Sequence, residues 1–246
     1  MTERPLAGLR VVITRAVHQS KALAEALREL GADPVNVPLI DITEPADHGA
    51  AMRQALKRLH TFDWLVVTSP NGAERVASAV NALVATGAQR PQLAVVGSAT
   101  GAALSAPAQL APVDQTADGL LRVFPSGSGS VLLAQADIAE PRLADGLAAK
   151  GWRVEVVPAY STVMIEPTAP ARAAALSADA VLFASGSAVR SWVASFDLFT
   201  PSISIAIGPS TNAVAQRFGL KITAVCADHS SSGLIDCLVA CVLEHR

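Results

Sequence analysis

The chain has 246 residues, 51% of them hydrophobic and 16% charged, with a net charge of −2. That composition supports a substantial core and excludes wholesale disorder. The near-neutral balance, with no block of like charge, argues against nucleic acid or a membrane surface as partner, and no stretch reaches the roughly 20 apolar residues of a membrane span. The length suits one large domain or two of about 100 to 150 residues. The opening stretch MTERPLAGLRVVITR lacks the charged-then-apolar pattern of a secretory leader, so a cytoplasmic location is expected. Cys226, Cys237 and Cys241 form no CxxC pair and read as small buried hydrophobes of a reduced protein. His229 and His245 read as loop and tail residues, not as metal ligands.

In chain order, short apolar runs alternate with helical patterns. Val11–Thr14 precedes a helix over about Gln19–Leu30, and Trp64–Val67 precedes one over about Ala73–Leu83. Leu93–Val96 precedes Thr100–Leu104, and Val131–Leu133 precedes Pro141–Lys150. Ala180–Phe183 precedes Ala188–Phe196, and Ile203–Ile207 precedes Thr211–Phe218. Strand-then-helix repetition of this kind predicts parallel α/β sheets covered on both faces.

The two halves echo each other. VVITRAVHQSKALAEALRELGADPVNVP (11–38) aligns without a gap on VLLAQADIAEPRLADGLAAKGWRVEVVP (131–158), and DWLVVTSPNGAERV (63–76) aligns on DAVLFASGSAVRSW (179–192). VVGSATGAA (95–103) aligns on AIGPSTNAV (206–214). Three pairings in one order predict two similar, doubly wound α/β domains. Each first segment runs into a Val-Pro, NVPLIDIT (36–43) and VVPAYSTV (156–163), and proline suits a strand end or linker. These segments are the expected domain crossings. They predict a discontinuous domain of 1–38 plus 162–246, an inserted domain of 39–160, a two-stranded linker able to act as a hinge, and an active-site cleft between the domains.

The turns at the carboxyl ends of the strands are TRAVHQS, TSPNGA, GSATGA, AQADIAE, ASGSAV and GPSTNA, most of them rich in Ser, Thr, Gly and Pro. Each precedes a helix N-terminus, whose unpartnered N–H groups and positive dipole end favour anions, although Ser and Thr there are also ordinary caps. As a set they suit a ligand with many anionic groups. Arg15 adds a guanidinium suited to a carboxylate. The usual catalytic sets are missing: GSGSV (127–131) precedes a strand instead of following one, and there is no Walker A, G-x-S-x-G or HExxH. Glu25, Glu29 and Asp145 read as solvated helix residues. Tyr160, the single tyrosine, sits at the predicted crossover. With an ordinary pKa of about 10 it is protonated at neutral pH and suited to an acid role over the cleft.

VVITRA (11–16), WLVVTSPNGAERV (64–76), VVGSATGAAL (95–104), GWRVEVVPAYSTV (151–163), AVLFASGSAVRSW (180–192) and IAIGPSTNAVAQRFGL (205–220) together resemble the uroporphyrinogen-III synthase family in order and spacing. The resemblance implies two α/β domains on a two-stranded linker, no cofactor or metal, and hydroxymethylbilane, a linear tetrapyrrole with eight carboxylates, as the small-molecule partner. It implies ring closure with loss of water and inversion of ring D. By the same resemblance Tyr160 protonates the departing hydroxyl, and Arg15, Thr68, Ser69, Gly97, Ser98, Thr100, Ser185, Ser187, Gly208, Ser210 and Thr211 hold substrate. AQAD (134–137) lacks the family's proline and arginine, which puts an anion contact there in doubt. Gly186 stands where the family often has proline, a change expected to loosen that turn while keeping both hydroxyls. A monomer is expected. The rival readings are a two-domain sensor or binding protein for an anionic small molecule, and a different cofactor-free lyase or isomerase.

Overall fold

The structure, a computed structural model, describes residues 4–244; His245 lies outside them. The chain separates into two compact units, Met1–Asp41 with Val163–Arg246, and Ile42–Thr162. The boundaries fall inside two strands, β3 (Ile40–Thr43) and β7 (Arg153–Met164), which are hydrogen-bonded neighbours.

Unit 1 starts with β1 (Arg10–Ile13), α1 (Val17–Glu29) and β2 (Asp33–Asn36). After the crossing it resumes with α7 (Ala169–Leu176), β8 (Ala180–Phe183), α8 (Gly186–Phe196), β9 (Ile203–Ala206), α9 (Pro209–Phe218), β10 (Ala224–Val225) and α10 (Ser231–Glu244). Its sheet has the order β10-β9-β8-β1-β2, with parallel pairs throughout. Alternate strand residues serve opposite faces. Val11, Ile13 and Leu182 pack with Leu23 and Leu27 of α1 and Leu234 and Leu238 of α10. Val12, Val181 and Phe183 pack with Trp192 and Phe196 of α8 and Ala215 of α9.

Unit 2 contains α2 (Ala50–Lys57), β4 (Trp64–Val67), α3 (Pro70–Thr86), β5 (Gln92–Val95), α4 (Ser98–Leu104), α5 (Ala117–Val123), β6 (Ser130–Ala136) and α6 (Arg142–Ala149). Its sheet order is β3-β7-β6-β4-β5, and β7, β6, β4 and β5 run parallel. One face packs on α2, α3 and α4 and the other on α5 and α6. The doubly covered, parallel α/β architecture expected from the alternation is present in both units.

The predicted helices start late. α3 begins at Pro70 and α9 at Pro209, each directly after its cap residue, because proline's fixed φ and missing N–H fit the first helical position. β7 also runs past Pro158, where a strand end was expected. Gln135 pairs with Pro158 and Ala136 with Tyr160, so Ala159 is an extra residue at a register shift. That bulge absorbs the proline.

Candidate active site

Open α/β sheets bind ligands beyond the carboxyl ends of their strands, where strand order reverses. In unit 1 that point lies between β1 and β8. In unit 2 it lies between β6 and β4.

In unit 2, Ser69 is the N-cap of α3, and its Oγ accepts the Gly72 N–H at 3.1 Å. Thr68, half-buried, sits between the end of β4 and this cap. Tyr160 reaches them from β7. Because of the bulge, Ala159 and Tyr160 both join the core on the α3 face, although consecutive strand residues normally alternate. Tyr160 is only 7% exposed, and the polar side chains of Ser69 and Asn71 act on its hydroxyl. The phenol expected at the crossover thus lies within β7, two residues before the end of unit 2 at Thr162. Burial, first, pushes it above its ordinary range; the polar side chains of Ser69 and Asn71 oppose this, and the nearby charge of Asp137 adds to it. It is a neutral donor at physiological pH.

Gly97, Ser98 and Thr100 lie at the neighbouring turn, after β5. Thr100 is buried inside α4, and Gly97 caps that helix in an extended conformation. Both the N–H and the hydroxyl of Ser98 donate to Gln115 Oε1, at 3.1 and 3.2 Å. A Cβ on Gly97 would come within 2.6 Å of the same oxygen. The donors expected to meet a substrate carboxylate are thus already engaged by a side chain of unit 2.

In unit 1, Thr14 at the end of β1 donates its buried hydroxyl to Leu182 O at 2.9 Å, tying the two sides of the switch point together. Arg15 follows. Its Nη1 donates to Ser231 Oγ at 2.9 Å, at the start of α10. Burial lowers its pKa from the ordinary arginine value, and no ion pair among the described residues includes it. A desolvated cation without a carboxylate beside it suits an anionic group. Ser185 caps α8, accepting the Ala188 N–H at 3.1 Å, and Ser187 is half-buried in the first turn. A Cβ on Gly186 would stand 2.8 Å from Val214 Cγ2, so close packing of α8 on α9 requires the glycine. At the β9 turn Gly208 is the cap residue of α9, Ser210 is exposed and Thr211 is buried. A Cβ on Gly208 would meet the His229 ring at 2.9–3.1 Å.

The cysteines are free, and burial, with the neighbouring Cys237, pushes the Cys226 thiol up to about 12, which makes it a poor nucleophile. Among the described residues no group of three or more His, Cys, Asp or Glu is placed to hold a metal, and no helix is long and apolar enough to cross a membrane.

Residues 21–236 match the family model for uroporphyrinogen-III synthase HemD. The chain belongs to the uroporphyrinogen-III synthase family. A chloroplastic uroporphyrinogen-III synthase of Oryza sativa is 30% identical over 233 residues, which cover 86% of this chain and 73% of the rice protein. A porphyrin biosynthesis protein HemD of Ruminiclostridium josui is 27% identical over 98% of this chain, yet the chain spans only 49% of that protein's length. The fold is that of a uroporphyrinogen III synthase from Thermus thermophilus, with a TM-score of 0.66 and 19% identity over 97% of this chain and 100% of the other.

Against this uroporphyrinogen-III synthase background, sequence reasoning missed Asn71, Gln115, Asp137, His229 and Ser231. A signal for two of them was present. PVDQTADGLL (112–121) aligns on CADHSSSGLI (226–235), a fourth segment of the duplication. It places Gln115 and His229 at equivalent positions, each against the glycine that begins the neighbouring helix.

Proposed function

We propose that this protein is a uroporphyrinogen-III synthase. It converts hydroxymethylbilane to uroporphyrinogen III with loss of water and inversion of ring D, in tetrapyrrole biosynthesis. The observation that carries this reading is the lone tyrosine of a family member, buried and neutral, beside the Ser69 and Asn71 side chains at a switch point.

The chemistry follows from the substrate. A hydroxymethyl group on an electron-rich pyrrole ionises readily, because the ring nitrogen supplies electrons as the C–O bond breaks. A neutral phenol assists by protonating the departing oxygen. The remaining task is positional: ring D must attack through its substituted carbon, through a spiro intermediate, and not through its free one. Holding a ring in one orientation is a binding problem, and Arg15 with the Ser185, Ser187, Gly208, Ser210 and Thr211 turns supplies donors for carboxylates. The substrate provides both leaving group and nucleophile, so no cofactor is called for.

The test is the consumption of hydroxymethylbilane generated in situ, with no metal or cofactor added. Catalysis predicts loss well above the spontaneous rate, proportional to protein. A sensor or binding protein would instead bind the bilane and leave that rate unchanged or slowed.

A further inference from the structure

Duplication makes one asymmetry visible. The turn after β1 reads TRAV (14–17), and its counterpart after β6 reads AQAD (134–137). The counterpart of Arg15 is Gln135, which is buried and neutral, and the counterpart of Val17 is Asp137. One unit therefore carries a cation at its switch point and the other an anion. The Asp137 N–H donates to Tyr160 O at 3.0 Å, and its Oδ1 accepts the Thr162 N–H at 3.4 Å. The carboxylate is thus held along the segment of β7 that carries Tyr160. None of the ion pairs among the described residues includes Asp137, and its charge is felt by the phenol.

A carboxylate is a good neighbour for a cation. When the hydroxymethyl group ionises, the C–O bond breaks and its electron pair leaves with oxygen. The phenol proton moves to that oxygen, and water departs. The ring-nitrogen lone pair fills the vacancy, giving an azafulvenium cation with its charge spread over nitrogen and the methylene carbon. The substituted carbon of ring D forms a C–C bond at that methylene, giving a spiro intermediate; the bond from that carbon to its original methylene bridge then breaks, and the freed methylene bonds to the free carbon of ring D. Loss of the proton from that carbon restores the pyrrole, and the proton returns to the phenolate, so only water is lost in all.

We propose that Asp137 is the counter-charge to the azafulvenium cation formed beside Tyr160, and that the switch point of unit 2 receives ring A. This rests on the reading of the protein as a uroporphyrinogen-III synthase. Asp137 neither gains nor loses a proton; it stabilises charge that exists only after ionisation begins, which raises kcat without tightening substrate binding.

The experiment compares the full-length wild type, Asp137→Asn and Asp137→Glu on hydroxymethylbilane. Binding is measured with a bilane that lacks the ring A hydroxymethyl group and cannot ionise. Asp137→Asn keeps the Thr162 acceptor and is expected to lower kcat about 10- to 100-fold, less than the roughly 100- to 1,000-fold of a water-excluded contact because Asp137 is exposed. KM should stay within about twofold, the product should remain isomer III, and the unreactive bilane should bind as tightly as to wild type. Asp137→Glu should recover most of the rate. An Asn variant with wild-type kcat, a loss confined to KM and to binding of the unreactive bilane, or a Glu variant as slow as Asn would each overturn the assignment. Should the Asn variant not fold, Asp137→Ser is measured in the same way and read by the same criteria. A wild type that yields no isomer III removes the reaction itself, which is a different failure from normal turnover by Asp137→Asn.

Discussion

Tyr160 does two things at once: it fills a core and it carries a proton. Its burial accounts for both, because a desolvated phenol resists becoming phenolate. The pKa is raised on folding, so the stability it contributes is complete below the unfolded value of about 10 and is lost as pH climbs through the folded value. As the chain has one tyrosine, the near-ultraviolet tyrosinate band of the native protein reports this group alone. That band should rise with a midpoint above about 10; a midpoint at about 10 would mean a phenol in water. Tyr160→Phe keeps the ring and removes the proton, and should lower kcat about 10- to 100-fold without abolishing turnover, since the substrate drives much of its own ionisation. A folded but fully inactive variant would show that the phenol does more than assist departure. The rarity of Tyr160 and its place after Val-Pro were readable in the sequence. Its burial was not, because a bulge depends on pairing between β6 and β7, and single-strand patterns do not report pairing.

At the scale of elements, Gly97 and Gly208 look alike in sequence and in role. Both are extended, so neither is glycine for the sake of a left-handed backbone. Each is glycine because a side chain from the next loop, Gln115 or His229, presses on its α-carbon. Gly97→Ala should therefore destabilise unit 2 by about 1–3 kcal/mol, the usual cost of overpacking. Gln115→Ala should relieve it, so that the double variant falls well short of the sum of the singles in denaturant titration. Strict additivity would mean that the glycine answers to something other than Gln115. Most β and α elements were legible from alternation of apolar runs with helical spacing. Helix starts were displaced by two or three residues where Ser-Pro or Gly-Pro begins the helix. Gln115 and His229 escaped notice because each acts on a turn about 20 residues earlier in the chain, and only the fourth repeat segment links them.

For the whole molecule, the sequence duplication translates into two mostly parallel α/β sheets, each covered on both faces and each with one reversal of strand order. The apolar strands and the ordered motifs were enough to read that architecture and the family. The alignment of TRAV on AQAD already set Arg15 and Asp137 in equivalent turns, but that those turns flank the reversals needed the strand order. The central claim is that the protein directs ring closure with inversion, and isomer analysis tests it most directly. Hydroxymethylbilane would be generated in situ with and without the protein, and the oxidised porphyrins separated as isomers I and III. The account predicts isomer III in the presence of the protein and isomer I in its absence. Isomer I alone, with folded protein present, would contradict it.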